Sequence, residues 1–143
     1  MQTVVMVVDD ETPFVDTMTK RLTKRKLEIV PAYNGYEALE KLQTHGRIDV
    51  VILDVKMPGI DGIETLREIK KAHPLVEVIM LTGHATVETG IEGMKLGAFD
   101  YLMKPCDIEK LMTKVQEAKS KKQQHEDKIT QARIQEITSR RGI

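Results

Sequence analysis

The chain has 143 residues, of which 41% are hydrophobic and 31% charged, and its formal net charge is zero. That balance predicts one soluble globular domain with some length to spare and no room for a second catalytic domain. It holds no charge-free apolar run near the roughly eighteen residues of a membrane span, and its single cysteine, Cys106, has neither a disulfide partner nor a thiolate-metal spacing. Residues 1–118 carry 15 Lys and Arg against 19 Asp and Glu, net −4, whereas residues 119–143 carry 7 against 3, net +4. The basic segment contains no aromatic residue and its charges are spaced. A solvated helix is therefore expected there rather than a nucleic-acid or membrane surface.

In chain order, Met1-Gln2-Thr3 runs straight into the apolar segment VVMVV, as a first strand does and a signal peptide does not. A cytoplasmic location is expected. Thr12 before Pro13 predicts an N-cap hydroxyl and an N1 proline for a first helix, with Phe14, Met18 and Leu22 at helical spacing and an end near Lys26. LEIVPAY reads as the second strand. Asn34 with Glu37 three residues on resembles a capping box for a second helix through Ala38, Leu39 and Leu42, closing at Gly46.

VVILD is the third strand, followed by a Met57-Pro58-Gly59 turn and a third helix capped by Asp61 and Glu64 and ended by His73-Pro74. VEVIML is the fourth strand, and a fourth helix over about Ala85 to Leu96 carries Gly90 and Gly93 in its interior. Each glycine costs roughly 1 kcal/mol relative to Ala, so this helix is expected to be the least secure. After a fifth strand ending at Lys104-Pro105, Asp107 caps a helix with the stripe Ile108, Leu111, Met112, Val115 and Ala118. No proline or glycine follows until Gly142, which lets that helix run on for about 50 Å.

Five alternations of strand and helix predict an α/β fold with a doubly wound parallel sheet, in which a ligand crevice lies at the strands' carboxyl ends. Asp9 and Asp10, Asp54, Thr82 and Lys104 each follow a strand and so converge on one rim. Three carboxylates on adjacent strand ends repel one another unless a cation shares them. An all-oxygen donor set without Cys or His beside it suits Mg²⁺ and disfavours zinc. Asp54 ends the most hydrophobic strand, where a carboxylate is costly unless coordinated or reacting, and is the candidate nucleophile for an acyl phosphate. Lys104 supplies a fixed positive charge and Thr82 a hydroxyl donor. Each alone would read as a cap, a turn residue or a solvated lysine; their conjunction at four strand ends points to phosphoryl chemistry.

VVDDE, ILDVKMPGIDG, MLTGHA and GAFDYLMKP, in this order and spacing over about residues 3 to 118, resemble the receiver domain of two-component response regulators, particularly receivers of ATPase-type transcription activators. The resemblance implies a flavodoxin-like sheet of order 2-1-3-4-5, with residues 1–118 as receiver and residues 119–143 as a basic helical extension. It implies Mg²⁺-dependent phosphotransfer from a sensor histidine kinase or phosphotransfer protein to Asp54. The ion would be held by Asp10 directly, Asp9 largely through water, Asp54 and the Lys56 backbone carbonyl. Thr82 and Tyr101 would form the switch that remodels helix 4, strand 5 and helix 5, and Lys56 and His84 would tune dephosphorylation. KPCD stands where KPFD is common in the family, placing Cys106 at an aromatic position.

Such a receiver catalyses only its own phosphorylation and dephosphorylation, and no direct nucleic-acid or membrane binding is expected of this chain. One alternative makes it part of a larger transcriptional regulator, with residues 119–143 a linker that forms a phosphorylation-dependent homodimer. Another is a phosphorylation-independent adaptor, although such proteins typically lose acidic or lysine residues that this chain retains. A phosphatase using an aspartyl phosphate is disfavoured because Lys56 stands where an acid is needed, two residues after Asp54.

Overall fold

The computed structural model describes residues 2–140. Five parallel strands, β1 (Val4–Val8), β2 (Glu28–Ala32), β3 (Val50–Leu53), β4 (Glu77–Thr82) and β5 (Asp100–Met103), form one sheet in the order β2-β1-β3-β4-β5. Five helices alternate with them: α1 (Thr12–Thr23), α2 (Gly35–Thr44), α3 (Gly62–Ala72), α4 (Val87–Lys95) and α5 (Ile108–Arg140). This is the doubly wound arrangement expected from the alternation.

Strands β1, β3 and β4 are buried along their whole length, which explains the unbroken Val, Ile, Leu and Met of β1 and β3 and of β4 between Glu77 and Thr82. One face of the sheet packs with Ala38, Leu42, Ile63, Leu66 and Ile69 of α2 and α3. The other packs with Val15, Met18 and Leu22 of α1 and Leu111, Met112, Val115 and Ala118 of α5. Pro31, which has no N–H to give to a ladder, sits in the edge strand β2.

Local starts and stops depart from expectation in a few places. Thr12 is not the N-cap of α1: Glu11 takes that position, without a side-chain cap, and Thr12 and Pro13 are the first helical residues. The turn into α1 is instead made by Asp9, whose Oδ1 accepts from the Glu11 N–H at 2.9 Å. α1 ends at Thr23 rather than near Lys26, because Lys26 takes a positive φ of 65° and the chain folds back, Leu27 N–H donating to the Leu22 carbonyl. Asn34 caps α2 through the Glu37 N–H, but Glu37 bonds the Tyr33 N–H rather than closing a reciprocal box. α4 begins at Val87, with a Thr86–Thr89 capping box that the expected start at Ala85 overlooked.

α5 is one helix of 33 described residues, and residues 141–143 lie outside the described part. Its apolar stripe ends at Ala118. Lys122, at the next position of the stripe, is also buried and stands 3.3 Å from Asp49. Asp49, fully buried just before β3, also takes Lys119 at 3.0 Å, Arg47 at 3.4 Å and the Val4 N–H at 2.9 Å. Beside it, Glu77 at the start of β4 pairs with Lys70 at 3.1 Å and Lys121 at 3.2 Å. The basic segment is thus fastened to the amino edge of the sheet before its exposed part begins. Ile129, Ile134 and Ile137 beyond it are exposed. Among the described residues no helix is long and apolar enough to cross a membrane.

Candidate functional site

Asp9, Asp54, Thr82 and Lys104 all lie at the carboxyl ends of β1, β3, β4 and β5, as parallel strands with short exits require. Asp9 and Asp54 are 1% and 2% exposed and Thr82 is fully buried. The Lys104 ammonium reaches Asp9 at 2.6 Å, Glu11 at 3.4 Å and Asp54 at 3.9 Å. It approaches from a turn whose Lys104–Pro105 bond is cis.

Asp54 is positioned by backbone on both sides. Its N–H donates to the Val8 carbonyl at 3.0 Å, and its Oδ1 accepts the Val55 N–H at 2.8 Å. The start of α3 presses directly beneath, since Gly62 N–H donates to the Val55 carbonyl. The Asp54 carboxylate opens on a cleft of about 440 Å³ lined by Asp10, Glu11, Lys56, Met57, Pro58 and His84.

One carboxylate was not singled out from the sequence. Oxygens of Asp9, Glu11 and Asp54 all lie within 4.8 Å of one another, whereas Asp10 is exposed and borders the cleft outside that trio. The chain turns at Asp10 and Asp9 Oδ1 accepts the Glu11 N–H, so Glu11 is brought back beside Asp9 by a turn that follows the strand rather than by strand alternation. This all-oxygen set, with two buried members and no Cys or His among them, fits a hard divalent cation.

Electrostatics bear out the crowding. Burial pushes the Asp9 carboxyl above its ordinary value, and the Asp54 charge pushes the same way against the bonds from Lys104 and the Glu11 N–H. Burial pulls Lys104 down, yet its bond to Asp9 and the charges of Asp54, Asp9 and Glu11 outweigh it, and the ammonium titrates above its usual value. The lysine therefore stays charged at neutral pH.

The two residues expected to form a switch are engaged with separate partners. Thr82 Oγ1 accepts the His84 N–H at 3.0 Å. Tyr101 turns toward α4, where its hydroxyl shares a 2.6 Å hydrogen bond with Thr89 and its ring lies against Gly90 and Gly93. Val87, Ile91 and Met94 of α4 are exposed alongside. Lys56 and His84 are both exposed on the cleft.

Residues 5–116 match the family model described as "Response regulator receiver domain". Among curated proteins, the chain is 36% identical over 127 residues to the transcriptional regulatory protein ZraR of Klebsiella oxytoca, covering 89% of this chain and 28% of that protein. It is 36% identical over 123 residues to the DNA-binding transcriptional regulator NtrC of Escherichia coli K12, covering 86% and 26%. The chain thus spans about a quarter of the length of these relatives. Among solved structures, a response regulator receiver domain from Clostridium thermocellum superposes with a TM-score of 0.80 at 37% identity, covering 85% of this chain and 97% of that one. A CheY-like receiver from Methanospirillum hungatei JF-1 gives 0.83 at 27%, covering 87% and 99%.

Proposed function

Since the chain belongs to the response regulator receiver domain family of two-component signalling, we propose that it is switched by phosphorylation of Asp54, drawn from the phosphohistidine of a sensor histidine kinase or phosphotransfer protein. The observation that carries this reading is the buried Asp54 carboxylate, opening on the acidic cleft with the Lys104 ammonium 3.9 Å away.

In the proposed step an Asp54 oxygen attacks phosphorus in line as the P–N bond of phosphohistidine breaks. The bonding pair returns to the imidazole nitrogen, and an acyl phosphate forms. Asp9 and Asp54 of the clustered carboxylates, with Asp10 and the Lys56 carbonyl from the cleft rim, would hold Mg²⁺, which would supply neutralisation of the charge on the reacting oxygens. Lys104 offers its charge to a phosphoryl oxygen, which requires loosening its 2.6 Å bond to Asp9. Thr82 offers its hydroxyl once it turns from its local role as acceptor for His84. Tyr101, released from Thr89, would follow, altering the face formed by α4, β5 and α5. Lys56 and His84, both exposed on the cleft, would tune dephosphorylation by orienting or excluding water. Asp10 would bind the ion directly and Asp9 largely through water, and the protein would act in the cytoplasm.

Likeness to the transcriptional regulatory protein ZraR and the DNA-binding transcriptional regulator NtrC favours a transcriptional output, with residues 119–143 as the segment that would carry the signal onward. Intact mass after incubation with a small acyl phosphate donor, with and without Mg²⁺, tests the core of the reading. One added phosphoryl group that needs both Mg²⁺ and Asp54, and is lost in Asp54→Asn, is the expected result. A folded protein that gains none, even from a kinase, would return the chain to the adaptor reading.

A further inference from the structure

Lys104 is held by two kinds of partner. Its ammonium meets the carboxylates of Asp9, Glu11 and Asp54, and the same nitrogen lies over the Phe14 ring, 4.0 Å from its centroid. Phe14 is in the first turn of α1, half-buried against the core shared by α1, α5 and the sheet. With Met18, Leu81, Pro105 and Cys106 it lines a groove of about 340 Å³. The proposed phosphotransfer assigns it no part.

An ammonium at the rim of an acidic cleft is drawn outward by hydration, and once its bond to Asp9 loosens that pull withdraws it from a phosphoryl group arriving on Asp54. The face of an aromatic ring attracts a cation without carrying a net charge. It therefore holds the nitrogen close to the carboxylates while adding no anion to repel the phosphoryl oxygens. An aliphatic side chain of similar size would supply the packing and not the attraction. We infer that Phe14 is a positioning residue for phosphoryl transfer, its ring face keeping the Lys104 ammonium poised beside Asp54.

The inference rests on the reading of Asp54 as phosphoacceptor. Its test uses the full chain, a small acyl phosphate donor that needs no docking surface on α1, and excess Mg²⁺. Rates of mass gain are compared for wild type, Phe14→Leu and Phe14→Trp, each also in a Lys104→Ala background, after thermal melts show the variants folded. Phe14→Leu should slow phosphorylation about two- to fivefold, the scale of a partly exposed cation–π contact. Phe14→Trp should restore the rate, and Phe14→Leu should cause no further loss once Lys104 is absent. The Lys104 ε-methylene protons should show an upfield ring-current shift in wild type and Phe14→Trp that disappears in Phe14→Leu. An unchanged rate in Phe14→Leu, or the same loss with Lys104 removed, would overturn the inference while leaving the phosphoacceptor intact. A wild type that gains no Asp54-dependent phosphoryl group overturns the underlying reading, and this one with it.

Discussion

Where a Cβ on Gly62 would stand, the backbone of the phosphoacceptor already is: 1.9 Å from the Asp54 carbonyl oxygen and 2.7 Å from the Val55 Cα. The obstacle is main chain rather than a flexible side chain, so Gly62→Ala must separate α3 from the end of β3. We expect a loss of at least the roughly 1–3 kcal/mol typical of overpacking, read as a lower denaturation midpoint, together with slower phosphorylation. From the sequence, Gly62 was merely the residue after an N-cap. Its necessity comes from a contact between two elements and leaves no local trace. Asp9, Asp54, Thr82 and Lys104 were legible because strand ends in a parallel sheet face one rim whatever the loops do. Glu11 was passed over because an acid at the start of a helix has an adequate local explanation in the helix dipole.

Among elements, α4 shows how propensity and packing divide the work. Its two interior glycines predicted a weak helix, and in the fold both lie against the Tyr101 ring, a hypothetical Cβ standing 3.9 Å from it at Gly90 and 3.6 Å at Gly93. These are ordinary contacts, so alanine fits at either position with Tyr101 as it stands. Gly90→Ala and Gly93→Ala should each stabilise the helix by up to about 1 kcal/mol, slowing amide exchange across α4 by roughly fivefold. They should also bias the protein toward the Tyr101–Thr89 arrangement and weaken any response to phosphorylation. Exchange rates that do not change would mean that packing, not propensity, limits the opening of α4. The start of this helix was misjudged by two residues because its reciprocal cap uses Thr89 in place of the Glu or Gln that marks a capping box in sequence. The start of α1 departs from expectation because Thr-Pro has the form of a cap and first turn, while the Phe14 and Val15 N–H groups that a Thr12 cap would take both donate to the Glu11 carbonyl.

For the molecule as a whole, charge separates into two stations at opposite ends of one strand, since Asp54 follows β3 and Asp49 precedes it. At the amino end burial would raise the Asp49 pKa, but the Val4 N–H and the charges of Lys119 and Arg47 outweigh it and hold the carboxyl below its ordinary value. An acid whose native pKa is depressed contributes its full stability above the unfolded value of about 4, and loses it as pH falls through the lower native one. Acid should therefore loosen the seat of α5 below about pH 4. Asp49→Asn should cost about 1–3 kcal/mol at neutral pH and remove that part of the pH dependence; thermal melts from pH 2.5 to 7 would reveal both. A melting profile with the same acid slope in the variant would exclude Asp49 as its source. The sequence showed a basic segment following an acidic body, but which lysines would be drawn inward depended on the sheet placing Asp49 beneath the helix. Heptad reasoning counted Lys122 as an interruption, and it is instead a buried counter-charge. That has a practical edge for anyone transplanting this module onto another protein: a cut after Ala118, where the apolar stripe ends, would strip Asp49 of Lys119 and Lys122 and Glu77 of Lys121. The smallest graft that carries its own electrical closure runs through Lys122.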